Sequence, residues 1–475
     1  MALLLTFLVG CESFLDVNID PNNPTEADVA VRLPAVILGT IHSAYYGDPS
    51  GWAVEWMQQT AYYPPVRPYE QIHDYELQDV SADDWWSFHY AGVLNETRNI
   101  MRETDPGPDG AYHGLAKFLH AWTFALTTDL WGPVPFTEAL DSIATPSPVY
   151  DPQPMIYAAV DQWFDEAAVE MVNPSLERIP RANDLLFEGF MPGWVKLLRH
   201  VQARHALRLV NAPWANAQEQ AQATLDALDE GLESNTDNVM LPYEGVSGAR
   251  NPLFRFSLTG ELFKASEYLV EGMRAKGDPR LGILVEPTLL GLKENMVVYH
   301  GRRNGGFPTA IDSAYSEVGR HFVEADAPLR VASYADAKFM EAEARLILSG
   351  PAAADAPYRA GIRADMESLD VATEAINAYL ASRPSLAQVA APLADIMWEK
   401  GLANYLSIEP WNDWRRTGYP AIQPVQGATL TGIPVRIRTP QSELATNRAN
   451  VEATGIDTGL QGMLWSSDES WWGHH

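Results

Sequence analysis

The residues of this chain that are best suited to chemistry are aromatic rings set among amide and guanidinium groups. The 475 residues include 15 Trp and 19 Tyr. Between residues 62 and 75, three prolines predict a loop, and this loop also carries Tyr63, Arg67, Tyr69 and Gln71. The C–H faces of sugars stack on aromatic rings, while amides and guanidinium groups hydrogen-bond sugar hydroxyls. The loop is therefore a candidate ligand-binding site.

Burial in the core is the alternative role for an aromatic ring. Trp52, Trp56, Trp85 and Trp86 lie in helix-compatible stretches. We predict that they are core residues, because large aromatic side chains are mostly buried. For the tyrosines of the 62–75 loop, core packing and ligand binding both remain open.

A second candidate loop spans residues 299–307 (YHGRRNGGF). Its glycines allow the backbone to approach a ligand closely, and Arg302, Arg303 and Asn304 supply hydrogen-bond donors. Tyr299 adds an aromatic ring at the start of the loop. The alternative is a flexible surface turn, which is the usual behaviour of a glycine-rich segment.

Signatures of catalysis are missing from the sequence. It contains no H-E-x-x-H, G-x-S-x-G, P-loop or G-x-G-x-x-G motif. His200 and His205 do not share a helix face as two zinc ligands four residues apart would. The turn at 105–110 (DPGPDG) lacks the acidic residue that closes an EF-hand loop. We predict no catalytic residue, no metal site and no cofactor, and a structural role for Arg415 and Arg416 in satisfying buried carboxylates or carbonyls.

The composition indicates a folded and strongly acidic protein. Lys and Arg total 33, Asp and Glu total 62, and the net charge is −29. This charge argues against nucleic acid as a partner and against binding to an anionic membrane through a basic patch. With 46% hydrophobic and 20% charged residues, the chain is globular rather than disordered in composition. Neutral and cationic ligands remain open.

The elements that must position these loops are helices. Apolar residues recur at helical spacing in many segments, whereas strand-like alternation is limited to stretches near 296–299 and 433–437. Helix pairs are predicted near 115–170, 194–232 and 335–369. In the third pair small residues face large ones, as in a tetratricopeptide unit, and the first two pairs fit ordinary helix pairing equally well. We predict an all-α fold in which tetratricopeptide-like pairs form a superhelical scaffold with long surface loops. The loops are 62–83, 104–112, 141–154, 240–262, 286–330 and 420–470.

Cys11 is the only cysteine, and it follows a short apolar run. The run cannot span a bilayer, which takes about 20 apolar residues, and the sequence Leu-Val-Gly-Cys resembles a bacterial lipobox. We predict a signal peptide at 1–10, lipidation of Cys11, a tether at 11–29 and one helical domain at 30–475. The run has no Lys or Arg and falls short of the usual length of about 15–30 residues, which indicates a signal truncated at its start. The alternative is a buried N-terminal helix with an incidental cysteine.

A series of segments resembles one known family in their order along nearly the whole chain. They are 11–18 (CESFLDVN), 20–25 (DPNNPT), 121–136 (AWTFALTTDLWGPVPF), 184–187 (DLLF), 194–198 (WVKLL), 277–281 (GDPRL), 334–344 (YADAKFMEAEA), 409–420 (EPWNDWRRTGYP), 433–436 (IPVR) and 440–447 (PQSELATN). Together they resemble the SusD/RagB-type outer-membrane lipoproteins, or SusD-like family.

The resemblance implies a helical body that is held by lipid at the outer membrane and faces the cell surface. It also implies a glycan-binding protein, not an enzyme, that covers a SusC-like TonB-dependent transporter and delivers oligo- or polysaccharide to it. Two other functions stay open. A peptide or protein receptor on the same scaffold would have a groove lined by carboxylates. A surface glycoside hydrolase would need two carboxylates in one cleft, about 5 or 6.5–9.5 Å apart.

Overall fold

A computed structural model describes residues 27–63, 74–141, 143–173, 178–254, 263–306, 309–467 and 469–473. Cys11, the expected signal peptide and most of the expected tether lie outside these ranges. The described chain is mostly helical, and the predicted all-α fold is confirmed. In chain order its α-helices are α1 (Val29–Ile41), α2 (Asp48–Trp56), α3 (Asp79–Ser87), α4 (Asn95–Glu103), α5 (Gly110–Trp131), α6 (Gln153–Val172), α7 (Met191–Arg208), α8 (Ala217–Asp229), α9 (Glu267–Lys276), α10 (Leu281–Leu284), α11 (Leu289–Lys293), α12 (Arg320–Val323), α13 (Tyr334–Ser349), α14 (Pro351–Ser368), α15 (Thr373–Ser382), α16 (Pro392–Ala403), α17 (Glu409–Thr417), α18 (Gln441–Thr446) and α19 (Arg448–Ala453).

Strands are short and occur as antiparallel pairs. They are β1 (Thr60–Tyr62) with β5 (Phe263–Ala265), β2 (Val134–Pro135) with β3 (Tyr150–Asp151), and β4 (Val239–Leu241) with β6 (Leu329–Ala332). The strands expected near 296–299 and 433–437 are absent, because these segments bond to irregular or helical backbone instead. For example, Ile437 N donates to Leu130 O over 2.8 Å.

The core is built around α5, which is buried on almost every side. A helix that is apolar all round belongs in the interior rather than at the surface. It packs against α4 and α6, and α6 packs in turn against α7. The helix ends at Gly132, whose φ of +85° suits glycine and allows the chain to turn away.

Further helices extend this layer in one row. α7 packs on α8, α8 on α13, and α13 on α14. The last two cross closely because a Cβ on Gly361 would lie only 2.8 Å from the ring of Phe339. Ala342 and Ala344 are also fully buried in this pair. The packed pairs α5/α6, α7/α8 and α13/α14 give the tetratricopeptide-like scaffold.

Ion pairs tie the helices of the scaffold together in its interior. Asp336 on α13 accepts from Arg204 over 2.9 Å and from Asn404 over 2.7 Å, and lies 3.0 Å from His200 Nε2. These neighbours hold the pKa of Asp336 well below its usual range, although burial alone would raise it. Buried charges are tolerated only when paired and hydrogen-bonded in this way. The two histidines examined for metal binding thus have other roles, and His205 stacks on Tyr157.

The adjacent arginines of α17 serve the structure, as predicted. Arg416 pairs with Glu343 and Asp413. Arg415 donates to the carbonyl oxygens of Asp129 and Val435 over 2.5 and 3.0 Å. Its guanidinium also lies 3.7 to 5.0 Å from the ring centroids of three indoles, which belong to Trp411, Trp471 and Trp472.

Most of the indoles expected in the core are there. Trp52, Trp56 and Trp86 are buried, while Trp85 is partly exposed and packs against Gly47. In the turn at 105–110, both carboxylates bond the local backbone: Asp105 accepts from the amide of Gly107 over 2.8 Å, and Asp109 from the amide of Asp105 over 3.1 Å. The turn is therefore stabilised by its own side chains.

Candidate functional site

The described start of the 62–75 loop lies close to the second candidate loop beside the β1–β5 pair. Thr60 lies opposite Ala265 in that pair. Ala265 N donates to Ser316 O over 2.9 Å, and Ala265 O accepts from Arg302 N over 2.8 Å. The end of β1, the 300–306 segment and the 315–317 segment are thereby held side by side. Residues far apart in the chain can act together here.

Aromatic rings gather where these segments meet. The ring centroids of Tyr63 and Tyr315 are 5.7 Å apart, and the ring of His300 stacks on Tyr315 at 5.1 Å. The Tyr315 hydroxyl accepts from the backbone amides of Thr309 and Ala310, each over 3.0 Å. Tyr315 is thus fixed and buried, and it supports two rings that remain partly or fully accessible.

The chain from 303 to 306 curls around the side chain of Arg302, which is only 3% exposed. Its Nη2 donates to Gly306 O over 2.7 Å, and its Nη1 donates to the carbonyls of Arg303 and Gly305. Burial lowers the pKa of this guanidinium. Asn304 fastens the loop to β1, because its side-chain amide donates to Thr60 O over 2.8 Å.

These segments border a cavity of about 520 Å³. Among the described residues, Glu267 contributes its only carboxylate. Amide, hydroxyl, imidazole and guanidinium groups supply the other polar lining. They belong to His300, Arg302, Arg303, Asn304, Thr309, Tyr315 and Gln426.

The other predicted site residues lie elsewhere or outside the described chain. Tyr299 does not line the cavity, since its hydroxyl lies against Gly282 in α10. Burial raises the pKa of that hydroxyl. Arg67, Tyr69 and Gln71 fall outside the described residues, as does Cys11.

Sequence reasoning missed Tyr315 and Gln426. Tyr315 lies in the long 286–330 loop predicted from the sequence, but no motif distinguishes it there. His300 belongs to the 299–307 candidate loop but was not among the predicted ligand-binding residues. Its contact with Tyr315 depends on the backbone bond from Ser316 N to His300 O, at 2.8 Å, and no local pattern signals such a bond.

A second opening of about 550 Å³ lies between α6, α7 and α8. Its carboxylates are Asp161, Asp165, Glu219, Asp226 and Glu230, and alanines and the ring of Trp214 also line it. Arg199 is the cation among its described lining residues. It bonds to Asp165 over 3.0 Å and to Glu230 over 2.8 Å.

Neither a cluster of metal ligands nor a helix able to span a bilayer occurs in the described ranges. There, no group of three or more His, Cys, Asp or Glu side chains is placed to hold a metal ion. None of the helices in that part of the chain combines the length and the apolar character needed to cross a bilayer.

Comparison with protein families decides the assignment. A model of SusD-like proteins, described as "starch-binding associating with outer membrane", matches residues 21–440. The chain belongs to the SusD-like family. No protein with a curated function matches it significantly in sequence.

Solved structures support the SusD-like fold. A SusD/RagB family protein from Bacteroides thetaiotaomicron has a TM-score of 0.78 at 21% identity, covering 93% of this chain and 98% of that one. A chitin-binding protein gives 0.76 at 24%, covering 92% and 98%. A chitin-binding SusD homolog from Flavobacterium johnsoniae gives 0.74 at 22%, covering 93% and 98%. At these identities the likeness shows the SusD-like fold.

Proposed function

We propose that this protein captures an oligo- or polysaccharide at the cell surface and delivers it to a SusC-like TonB-dependent transporter. One observation carries the proposal. The rings of Tyr63 and His300 flank Tyr315 beside a polar cavity, in a protein whose family is described as starch-binding. Aromatic rings with nearby amide and guanidinium donors suit a sugar.

We include Arg67, Tyr69 and Gln71 in the proposed site on the basis of the sequence. They follow Tyr63, whose ring contacts Tyr315, a residue that lines the cavity. Arg302 and Asn304 hold the opposite loop in shape. Chitin and starch are the first polysaccharides to test, because relatives of this fold are described as binding chitin and the family as binding starch.

We propose binding without cleavage. Glycoside hydrolysis in most families requires two carboxyl groups on either side of the bond. Glu267 alone supplies a carboxylate among the described residues that line this cavity.

The test uses the chain from Glu12 onward, which lacks Cys11, on an array of polysaccharides. We expect binding that Tyr63→Ala weakens at least about fivefold, since stacking of one ring is worth about 1 kcal/mol or more. Trp214→Ala removes a ring from the second opening and is the matched control. Release of shorter sugars would contradict the binding-only role, and failure to bind any glycan would contradict the proposal itself.

The proposed anchoring and partner rest on other features. Cys11 in its lipobox would hold the mature protein at the outer membrane. Exposed apolar side chains cluster at α11 and just after it, and patches of this kind mark contacts with other proteins. They are Leu289, Leu290, Leu292, Met296, Val297 and Val298, called the 289–298 patch below. Purification of the lipidated protein from its native membrane should recover a TonB-dependent transporter. Failure to recover a transporter would contradict the proposal of this partner.

A second candidate function is a receptor for cationic peptides, and the acidic opening between α6, α7 and α8 favours it. Five carboxylates face one guanidinium there, which suits Lys- and Arg-rich segments. Fluorescence anisotropy with a labelled oligo-lysine peptide tests this function. Salt-sensitive binding that Asp226→Asn and Trp214→Ala both weaken would support it, and no binding at low salt would reject it.

A further inference from the structure

The loop around Arg302 encloses a positive charge whose hydrogen bonds go to the main chain. No carboxylate of the described residues lies within ion-pair distance of this buried guanidinium, whose Nη atoms donate only to main-chain carbonyls. A buried charge is normally paired with an opposite one. The buried carboxylate of Glu55 acts on this guanidinium only from beyond ion-pair distance, so the positive charge at the loop is balanced only in part.

The same bonds fix the direction of the backbone amides. In a planar trans peptide the N–H points opposite to the carbonyl. Because the carbonyls of Arg303 and Gly305 face the guanidinium, the N–H groups of Asn304 and Gly306 point away from it. Neither N–H donates to an acceptor in the described part of the chain. Two donors are thus left open on a loop that lines the cavity.

Glycine permits this backbone shape. Gly305 and Gly306 have φ values of +81° and +65°, and a Cβ on Gly305 would lie 2.5 Å from Val425 Cγ1. Successive amides in turns of this type form concavities that bind anions. The shape is not a default surface turn, since Arg302 and Asn304 both hold it in place.

The exposed guanidinium of Arg303 adds positive charge at the 302–306 loop. The side chain of Arg303 is exposed and forms no hydrogen bond or ion pair with the described residues. With Arg302 it gives the described cavity lining two guanidinium groups against the single carboxylate of Glu267. A local positive site attracts anions even in a protein of net charge −29.

We propose that the loop 302–306 is an oxyanion site, so that the glycan captured by this protein is an acidic one. The proposal rests on the proposed function. A carboxylate or sulfate group on a sugar would accept from the amides of Asn304 and Gly306 and pair with Arg303. Charge-assisted bonds of this kind are about twice as strong as those to neutral hydroxyls, so the substituent, more than the sugar ring, sets the preference.

Matched pairs of oligosaccharides test the preference. Calorimetry on the chain from Glu12 onward compares oligogalacturonate with its methyl ester, and a sulfated galactan with its desulfated form. We expect the charged member of at least one pair to bind about tenfold tighter, with a smaller ratio at high salt. The pair with the larger ratio of charged to neutral affinity shows whether the site prefers a carboxylate or a sulfate. Equal binding of charged and neutral members would overturn the inference while leaving glycan capture intact.

Variants that change one charge test whether the 302–306 loop causes the preference for charged glycans. Arg303→Gln should reduce the charged-to-neutral ratio about fivefold or more, and Glu267→Gln should increase it. Arg448→Gln makes the same charge change on α19, away from the cavity lining, and should leave the ratio unaltered. A ratio that survives Arg303→Gln would overturn the placement at this loop.

Amide resonances give a readout that does not depend on a polysaccharide. Adding galacturonate or inorganic sulfate should shift the backbone amide signals of Asn304 and Gly306. Such shifts would support the oxyanion site even if every polysaccharide failed to bind, which would refute only the proposed function. Unmoved signals with both anions would overturn the inference.

Discussion

Tyr63 and Tyr315 come from distant parts of the chain, yet their ring centroids lie 5.7 Å apart at a tilt of 52°. The contact exists because β1 ends next to a backbone network that runs from Ala265 to Ser316. Neither ring alone forms the aromatic surface that we propose for glycan stacking, called the platform. Tyr315 is buried and tied by its hydroxyl, and Tyr63 rests on it.

Removing Tyr315 should disable the platform without unfolding the protein. Tyr315→Ala takes away the support of both Tyr63 and His300, so we predict a loss of glycan affinity at least as large as that of Tyr63→Ala. Tyr315→Phe keeps the ring contacts and loses only the bonds from Thr309 and Ala310, so it should bind nearly as well as the native protein. Calorimetry with the best glycan measures both. Full affinity in Tyr315→Ala would show that the rings do not form the site.

The 289–298 patch should contact the transporter. Leu292 and Val297 are 48% and 70% exposed, so changing both to Asp has little effect on stability. We predict that the double variant recovers several-fold less transporter from the native membrane, because charged groups are excluded from the centre of an interface. Glycan binding by the same variant should be unchanged, which separates the two surfaces. Undiminished recovery would place the contact elsewhere.

The ion pair between α13 and α17 should be important for stability. Glu343→Gln leaves Arg416 buried with only Asp413 as its acidic partner, and we predict a loss of about 3 kcal/mol in the free energy of unfolding. Glu452→Gln breaks the exposed pair with Arg448 and should change it by less than about 1 kcal/mol. Urea denaturation of both variants measures the two losses of unfolding free energy, and equal losses would contradict the prediction.

Buried imidazoles should make stability fall in mild acid. Burial lowers the pKa of His89 to about 3, whereas an unfolded chain has a His pKa of about 6.5. The unfolded chain therefore gains a proton below pH 6.5 that the folded protein does not, and stability declines from there toward pH 3. For this group the loss amounts to about 2 kcal/mol at pH 5.

His89→Asn removes this contribution and can keep a bond to Thr127, which lies 2.8 Å from Nδ1 of the imidazole. The difference in unfolding free energy between pH 7 and pH 5 should then shrink by about 2 kcal/mol. His120, whose pKa is likewise lowered to about 3 by burial, should behave in the same way when changed to Asn. Parallel pH profiles for native protein and variants would refute the prediction.

The helical fold was predictable because its signal is local. Apolar spacing within a helix marks the buried face, and small residues such as Ala342 mark a close crossing. The failed strand predictions have the same origin: residues 433–437 alternate in type, yet all five are buried and no partner strand in the described chain lies beside them. A strand forms only beside a partner segment, and the residues of the strand do not identify that partner.

The site was predictable only in part. Both loops were identified by composition, but the approach of Tyr63 to Tyr315 depends on three-residue strands whose pairing joins Thr60 to Ala265. Net charge describes the whole protein rather than one site. The total of −29 left neutral and cationic ligands open, whereas the charge at the 302–306 loop depends on which groups lie close to it.

Trp471 and Trp472 complete the ring of indoles around Arg415 although they follow every described helix in the chain. Until these two residues have packed, the buried guanidinium of Arg415 has only Trp411 of its three indole neighbours. The interior of the helical body is therefore closed by residues from the far end of the described chain. A polypeptide cut before Trp471 should unfold at a lower urea concentration than the full chain.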